Sequence, residues 1–158
     1  MPQQYSFLSH WRIKAPIDDV WQLIYDSEKW PEWWYGVESV VETRKGDTRG
    51  IGSIRSYKMR SPMLYTLSFN IQLTERTDLK LLKGYASGEL VGTGAWTFQQ
   101  TGEEIDVQCH WQVITTKWWM NIFAFILRPI FQYNHAAVMR NGANCLARKL
   151  NSEVRVIS

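Results

Sequence analysis

The sequence predicts an α+β domain of the helix-grip kind, in which a curved, seven-stranded antiparallel sheet surrounds a long C-terminal helix and two short helices follow strand one. Three observations carry this expectation. Residues 37–116 alternate apolar and polar side chains between hairpin-length interruptions, as strands with one buried face do. Trp118 to Asn151 instead spaces its apolar positions as a helix does. Finally, 22 of the 158 residues are aromatic, nine of them tryptophan, against only 21% charged residues, so a large apolar interior has to be built.

The elements follow in chain order. Ser6 to Ile13 alternates, with Phe7, Ser9, Trp11 and Ile13 on one side, and reads as the first strand. Pro16 suits the first turn of a helix, and Ile17, Val20, Trp21 and Ile24 then share one face. A second short helix is expected around Lys29 to Trp34, closed by Gly36. Six strands are expected next, with turns at Lys45-Gly46-Asp47, Arg60-Ser61-Pro62, Thr77-Asp78, Val91-Gly92 and Thr101-Gly102-Glu103. The clearest carry Tyr65, Leu67, Phe69, Ile71 and Leu73, and then Ile105, Val107, Cys109, Trp111 and Val113, on the buried side. The covering helix has apolar positions at Ile122, Ile126, Ile130, Val138, Cys145 and Leu146, with Arg148 and Lys149 near its C-terminus. Pro129 removes a hydrogen bond to the Phe125 carbonyl, so a kink or break is expected there.

Composition excludes several classes. With 45% hydrophobic residues, five prolines and no low-complexity tract, the chain is not disordered, collagenous or a coiled coil. One domain over residues 1–158 is expected. The opening ten residues lack the basic start and apolar run of a secretory signal. Trp118 to Leu127 is too short to span a bilayer of roughly 30 Å. Two cysteines, Cys109 and Cys145, have no metal spacing and read as reduced thiols, which points to the cytoplasm. Residues 1–116 carry a balance of −2 and residues 117–158 one of +5, but the basic residues are too sparse for a nucleic-acid footprint.

The residues Trp11-Arg12-Ile13-Lys14-Ala15-Pro16, Val20-Trp21, Trp30-Pro31-Glu32-Trp33-Trp34 with Gly36-Val37, and Gly88 to Gly94 followed by Trp96 resemble a known pattern. Asn134-His135, Met139-Arg140, Gly142 and Leu146 continue it. Taken together they resemble the START-like superfamily, in its bacterial polyketide cyclase/dehydrase and lipid-transport (SRPBCC) branch, across nearly the whole chain. The resemblance implies the helix-grip fold and hydrophobic ligand binding, with no cofactor. Most matching residues also have structural explanations: Trp21, Trp30 and Trp33 as packing, Gly92 and Gly94 as a tight turn or bulge. Trp34 is assigned to neither group.

No hydrolase elbow, zinc motif or phosphate loop is present. His10 and His110 fall on the solvent side of their strands, and with His135 on another element a metal site is not expected. Arg55, Tyr57 and Met59 share one side of a strand; Arg55 is read as solvent-facing, although on a concave side it would be a cation awaiting a partner or an anionic or carbonyl-bearing ligand. Asn134 and His135 either reach between helix and sheet or bond nearby backbone on the helix surface.

If the dominant parity of each strand points inward, Trp11, Tyr57, Met59, Phe69, Trp96 and Trp111 line the concave side, along with Tyr65, Phe98 and Cys109, and Tyr85 is a further candidate. The helix would add Trp119, Phe123, Ile126, Ile130 and Tyr133, with Asn134 as a polar handle. A solid core is the alternative; the resemblance points to a cavity. The expected function is binding of a hydrophobic, lipid-like or polycyclic molecule in a cavity between the sheet and the C-terminal helix, as a carrier or sequestering protein. A cyclase or dehydratase acting without covalent catalysis, through Arg55, Tyr57, Tyr85 or His135, is the second reading. The third is an interaction module docking through residues 118–127, which could also gate the cavity, form a homodimer contact or touch a membrane surface beside Lys117 and Arg128.

Overall fold

The computed structural model describes residues 4–60 and 66–157. The expected turn at Ser61-Pro62 and the inward Tyr65 lie outside the described residues, as do the side chains of Met120, Phe125 and Leu127. Strand β1 (Gln4–Ile13) leads into α1 (Ile17–Tyr25), a 3-10 turn (Ser27–Lys29) and α2 (Trp30–Trp33). The meander follows as β2 (Val37–Arg44), β3 (Ile54–Arg60), β4 (Thr66–Thr77), β5 (Leu81–Gly88), β6 (Leu90–Thr101) and β7 (Glu104–Thr115). The chain ends with α3 (Trp118–Ile122), α4 (Ala124–Leu150) and β8 (Val154–Val156). All strands join one antiparallel sheet, in the order β2-β3-β4-β5-β6-β7-β1-β8.

The sheet has eight strands where seven were expected. β8 is only three residues long, too short for alternation to register, and pairs with Trp11 to Ile13 of β1. Asn151, in the left-handed conformation with φ of 50°, ends α4 and turns the chain back to it, a conformation asparagine adopts more readily than most residues.

Two local expectations are corrected. The helical segment breaks at Phe123, between α3 and α4, and α4 runs through Pro129. Pro129 is the sixth residue of α4, so it deprives the helix of the bond to the Phe125 carbonyl, a single loss that α4 accommodates without a break. Gly92 and Gly94 are not at a turn but inside β6, and the turn falls at Glu89. Their role is close approach: a Cβ on Gly92 would run into the Gln112 carbonyl, and one on Gly94 would sit 2.9 Å from the Trp111 ring.

The core lies between the concave sheet, the short helices and α4. Val20, Trp21 and Ile24 of α1 are buried in it, as the periodicity of that helix requires. Trp34 is 2% exposed and sits among Trp30, Trp33 and Trp11, with ring centroids 4.9, 5.6 and 6.0 Å away. No helix among the described residues is long and apolar enough to cross a membrane.

Candidate ligand cavity

Between the concave sheet, α2 and α4 lies a cavity of about 230 Å³. This is just below the roughly 300–1,000 Å³ usual for small-molecule sites, which suits a compact occupant. Its walls are aromatic and aliphatic, with Trp30, Trp34, Tyr57, Phe69, Trp96 and Trp111 prominent. Of the residues expected to line it, Tyr57, Met59, Phe69, Trp96, Trp111 and Asn134 do so.

Arg55 also lines the cavity and does not face solvent as expected. It shares its strand face with buried Tyr57, and its guanidinium turns toward the end of α1. There Nη1 donates to the Tyr25 carbonyl and to Ser27 Oγ, both at 2.8 Å. Ser27 Oγ and the Tyr57 hydroxyl share a further hydrogen bond of 2.7 Å. The carboxylate paired with Arg55, that of Glu42, is 3.9 Å from Nε. The cation is therefore solvated mainly by neutral oxygens at the rim of an apolar chamber. Burial raises the Tyr57 hydroxyl above the ordinary phenol range, with Ser27 and Arg55 opposing, so it remains a neutral donor or acceptor.

His135 occupies the other flank, over β1 rather than β3. Its ring stacks on Phe7 with centroids 4.5 Å apart and planes 14° from parallel. Nε2 is buried without a hydrogen-bond partner among the described residues, and burial depresses the imidazole to about 4, so it is neutral at neutral pH. Trp34 Nε1, in the cavity wall, is likewise buried with no hydrogen-bond partner among the described residues. A neutral imidazole, an indole N–H, Asn134 and the Arg55 cluster are polar handles in a mainly apolar lining.

Several expected lining residues lie elsewhere. Trp11 is 1% exposed but packs between Trp34 and Trp96, behind the wall. Tyr85 is 46% exposed on the convex face, because Leu82, Gly84 and Ala86 hold the inward parity of β5. On the helix, Phe123, Ile126 and Tyr133 are exposed, Ile130 is half-buried outside the cavity, and Trp119 packs edge-on against Phe131. The inward face is instead Phe131, Asn134, His135, Val138 and Met139. The expected stripe was offset by about one residue, roughly 100° around the helix. Here α4 reverses ordinary amphipathic logic, with Asn134 and His135 inward and Ile126 and Tyr133 outward.

Tyr5, Ser27 and Ser53 line the cavity but were not anticipated. The β1 alternation extended back two residues would have found Tyr5; the two serines carry no sequence signal. His10 and His110 lie on the convex face, where His10 Nε2 is 3.1 Å from Asp106. The Arg12 hydrogen bond holds Asp106 down at about 2, burial opposing and His10 and Thr101 assisting. Among the described residues no three His, Cys, Asp or Glu side chains converge as a metal site requires.

A family model described as polyketide cyclase/dehydrase and lipid transport matches residues 8–151. No curated protein matches the chain. Its fold is similar to that of the Zhui aromatase/cyclase from Streptomyces sp. R1128, with TM-score 0.72, 11% identity and 94% of each chain covered. A START superfamily protein from Mycobacterium smegmatis has TM-score 0.71 and 10% identity, covering 94% of this chain and 97% of that one. The di-domain ARO/CYC BexL from the BE-7585A biosynthetic pathway has TM-score 0.71 and 15% identity, covering 95% of this chain and 51% of that one. The chain thus spans about half the length of that protein and of the similar di-domain ARO/CYC StfQ. At these identities the likeness is one of fold.

Proposed function

Because the chain belongs to the polyketide cyclase/dehydrase and lipid transport family, we propose that it is a carrier for a compact hydrophobic molecule whose anionic or carbonyl head meets Arg55. The observation that carries this reading is the placement of Arg55. A guanidinium at the edge of an aromatic chamber, paired with Glu42 only at 3.9 Å and with no hydrogen bond from Nε among the described residues, keeps donor capacity for a ligand. A ligand oxygen would accept a charge-assisted hydrogen bond from it. Apolar burial supplies affinity at about 25 cal/mol per Å² before ordering costs are subtracted. Trp34 Nε1 and His135 Nε2 would orient the occupant. The buried free thiols Cys109 and Cys145 support the cytoplasm as its compartment.

The experiment is organic extraction of the purified protein followed by mass spectrometry, together with calorimetric titration of 2-naphthoate, an apolar bicycle with one carboxylate. Co-purification of an apolar molecule with an oxygen head, and binding of 2-naphthoate that Arg55→Met weakens, is the expected result. No extracted molecule and no 2-naphthoate binding would overturn it.

A second reading, cyclisation or dehydration, is favoured by one observation: His135 is neutral in the cavity, with no hydrogen-bond partner at Nε2 among the described residues. A positioned base and a shaped wall suffice for proton abstraction and water loss. Turnover of a poly-β-keto substrate that is lost in His135→Ala or Tyr57→Phe would select this reading over the carrier.

A further inference from the structure

The inward turn of Asn134 and His135 leaves apolar residues of the same helical segment in water. Trp118, Ile122, Ile126 and Tyr133 are 70%, 65%, 66% and 63% exposed. Spacings of four within α3 and seven within α4 put Trp118 and Ile122 on one side of the first and Ile126 and Tyr133 along one outward line of the second, with the break at Phe123 between them. Single exposed apolar residues need no explanation, but four large ones within sixteen residues of one helical cover do. The same line continues through Arg140 to Arg148, both exposed and with no carboxylate within salt-bridge distance among the described residues. From Lys117 to Ser152 the sequence contains no aspartate or glutamate. The exposed side of the helical cover is therefore apolar toward its start and cationic toward its end, and the segment itself carries no acidic residue.

We infer that this outward surface of α3 and α4, apolar at Trp118, Ile122, Ile126 and Tyr133 and cationic at Arg140 and Arg148, seats the protein on an anionic lipid bilayer. The charge pattern selects that occupant. A wholly apolar partner surface would leave Arg140 and Arg148 unmatched, whereas a bilayer offers acyl chains beside phosphates. Trp118 and Tyr133, at the two ends of the apolar part, are the side chains that favour the headgroup boundary. An interfacial helix buries its apolar face only about 5–10 Å deep, a depth that exposed side chains reach without unfolding the sheet. Lys117 contributes little, being 3.1 Å from Glu89. The inference does not depend on what the cavity holds, because all six side chains point away from it.

Co-sedimentation with sucrose-loaded vesicles tests it, comparing phosphatidylcholine alone with phosphatidylcholine containing about 30 mol% phosphatidylglycerol. The wild-type chain binds the anionic vesicles at least tenfold more tightly, and raising salt to about 0.5 M reverses most of that gain. Trp118→Ser/Ile126→Ser and Arg140→Glu/Arg148→Glu each lower binding at least tenfold, with unchanged thermal melts and unchanged 2-naphthoate titrations. Equal binding by all variants, or no binding by the wild type, overturns the inference. A dimer in light scattering that Trp118→Ser/Ile126→Ser dissociates also overturns it, since the apolar part would then be covered by a second copy.

Discussion

Trp34 lies against the backbone of Gly142, so that a Cβ added there would sit 2.5 Å from both Cε2 and Cζ2 of the indole. The glycine lets α4 approach the aromatic cluster closely enough to close one wall of the cavity. Alanine would gain about 1 kcal/mol of helix propensity at this position. Overpacking costs about 1–3 kcal/mol, and Trp34 is walled in by Trp30, Trp33 and Trp11, so the clash wins. Gly142→Ala is expected to lose up to about 2 kcal/mol in urea denaturation. An unchanged or raised midpoint would mean the indole has room to retreat.

Arg55 and Tyr57 should separate affinity from stability. Arg55→Met deletes the cation that a ligand carboxylate would meet, and a hydrogen bond to a charged group contributes about 1.5–3 kcal/mol. Its affinity for 2-naphthoate should fall at least tenfold, while that for the neutral 2-naphthol changes less. Tyr57→Phe removes the hydrogen bond shared with Ser27 and should cost about 1 kcal/mol of stability, with a small effect on 2-naphthoate. Equal losses for both naphthalenes in Arg55→Met would assign the residue to packing.

His135 makes stability depend on acidity in a defined window. Its folded value of about 4 is below the ordinary 6.5, so the unfolded chain binds the extra proton first as pH falls. The contribution to stability is complete above pH 6.5, erodes below it, and has fallen by about 3 kcal/mol near pH 4. His135→Phe keeps the stack on Phe7 and removes the titration. Urea melts at pH 7 and pH 4 should show the wild type losing about 3 kcal/mol more than the variant over that interval. Parallel losses would show that the imidazole takes up its proton while folded.

The sheet was legible because a period of two repeats five or six times within strands such as β4 and β7. Inward positions such as Tyr57, Phe69 and Trp111 could therefore be read directly. β8, at three residues, offers no repeat to read. The rotation of α4 was hidden for a different reason: its apolar residues outnumber what one face needs, and its buried face includes Asn134 and His135. Choosing the apolar side as inward selected Phe123 and Ile126, which are exposed. Arg55 was misplaced by the general rule that arginine faces water; its true setting depends on the Tyr25 carbonyl and Ser27, 30 and 28 residues away in sequence. Contacts of that range have no local periodicity.

Gly94 and Trp111 face each other across β6 and β7, and the indole lies over the glycine. A Cβ at Gly94 would be 2.9 Å from Cε3 and Cζ3, and Trp111 already meets Phe69 at 6.0 Å between centroids. The ring can yield only by tipping into the cavity, which both strains it and takes volume from an occupant. Gly94→Ala should therefore weaken 2-naphthoate binding at least tenfold and cost about 1–3 kcal/mol of stability. In Gly94→Ala/Trp111→Leu the smaller side chain leaves the Cβ unopposed, so the double variant should be more stable than the sum of the single changes predicts. Additive losses would show that the glycine serves strand geometry alone; a coupling of about 1 kcal/mol or more assigns it to making room for the Trp111 wall.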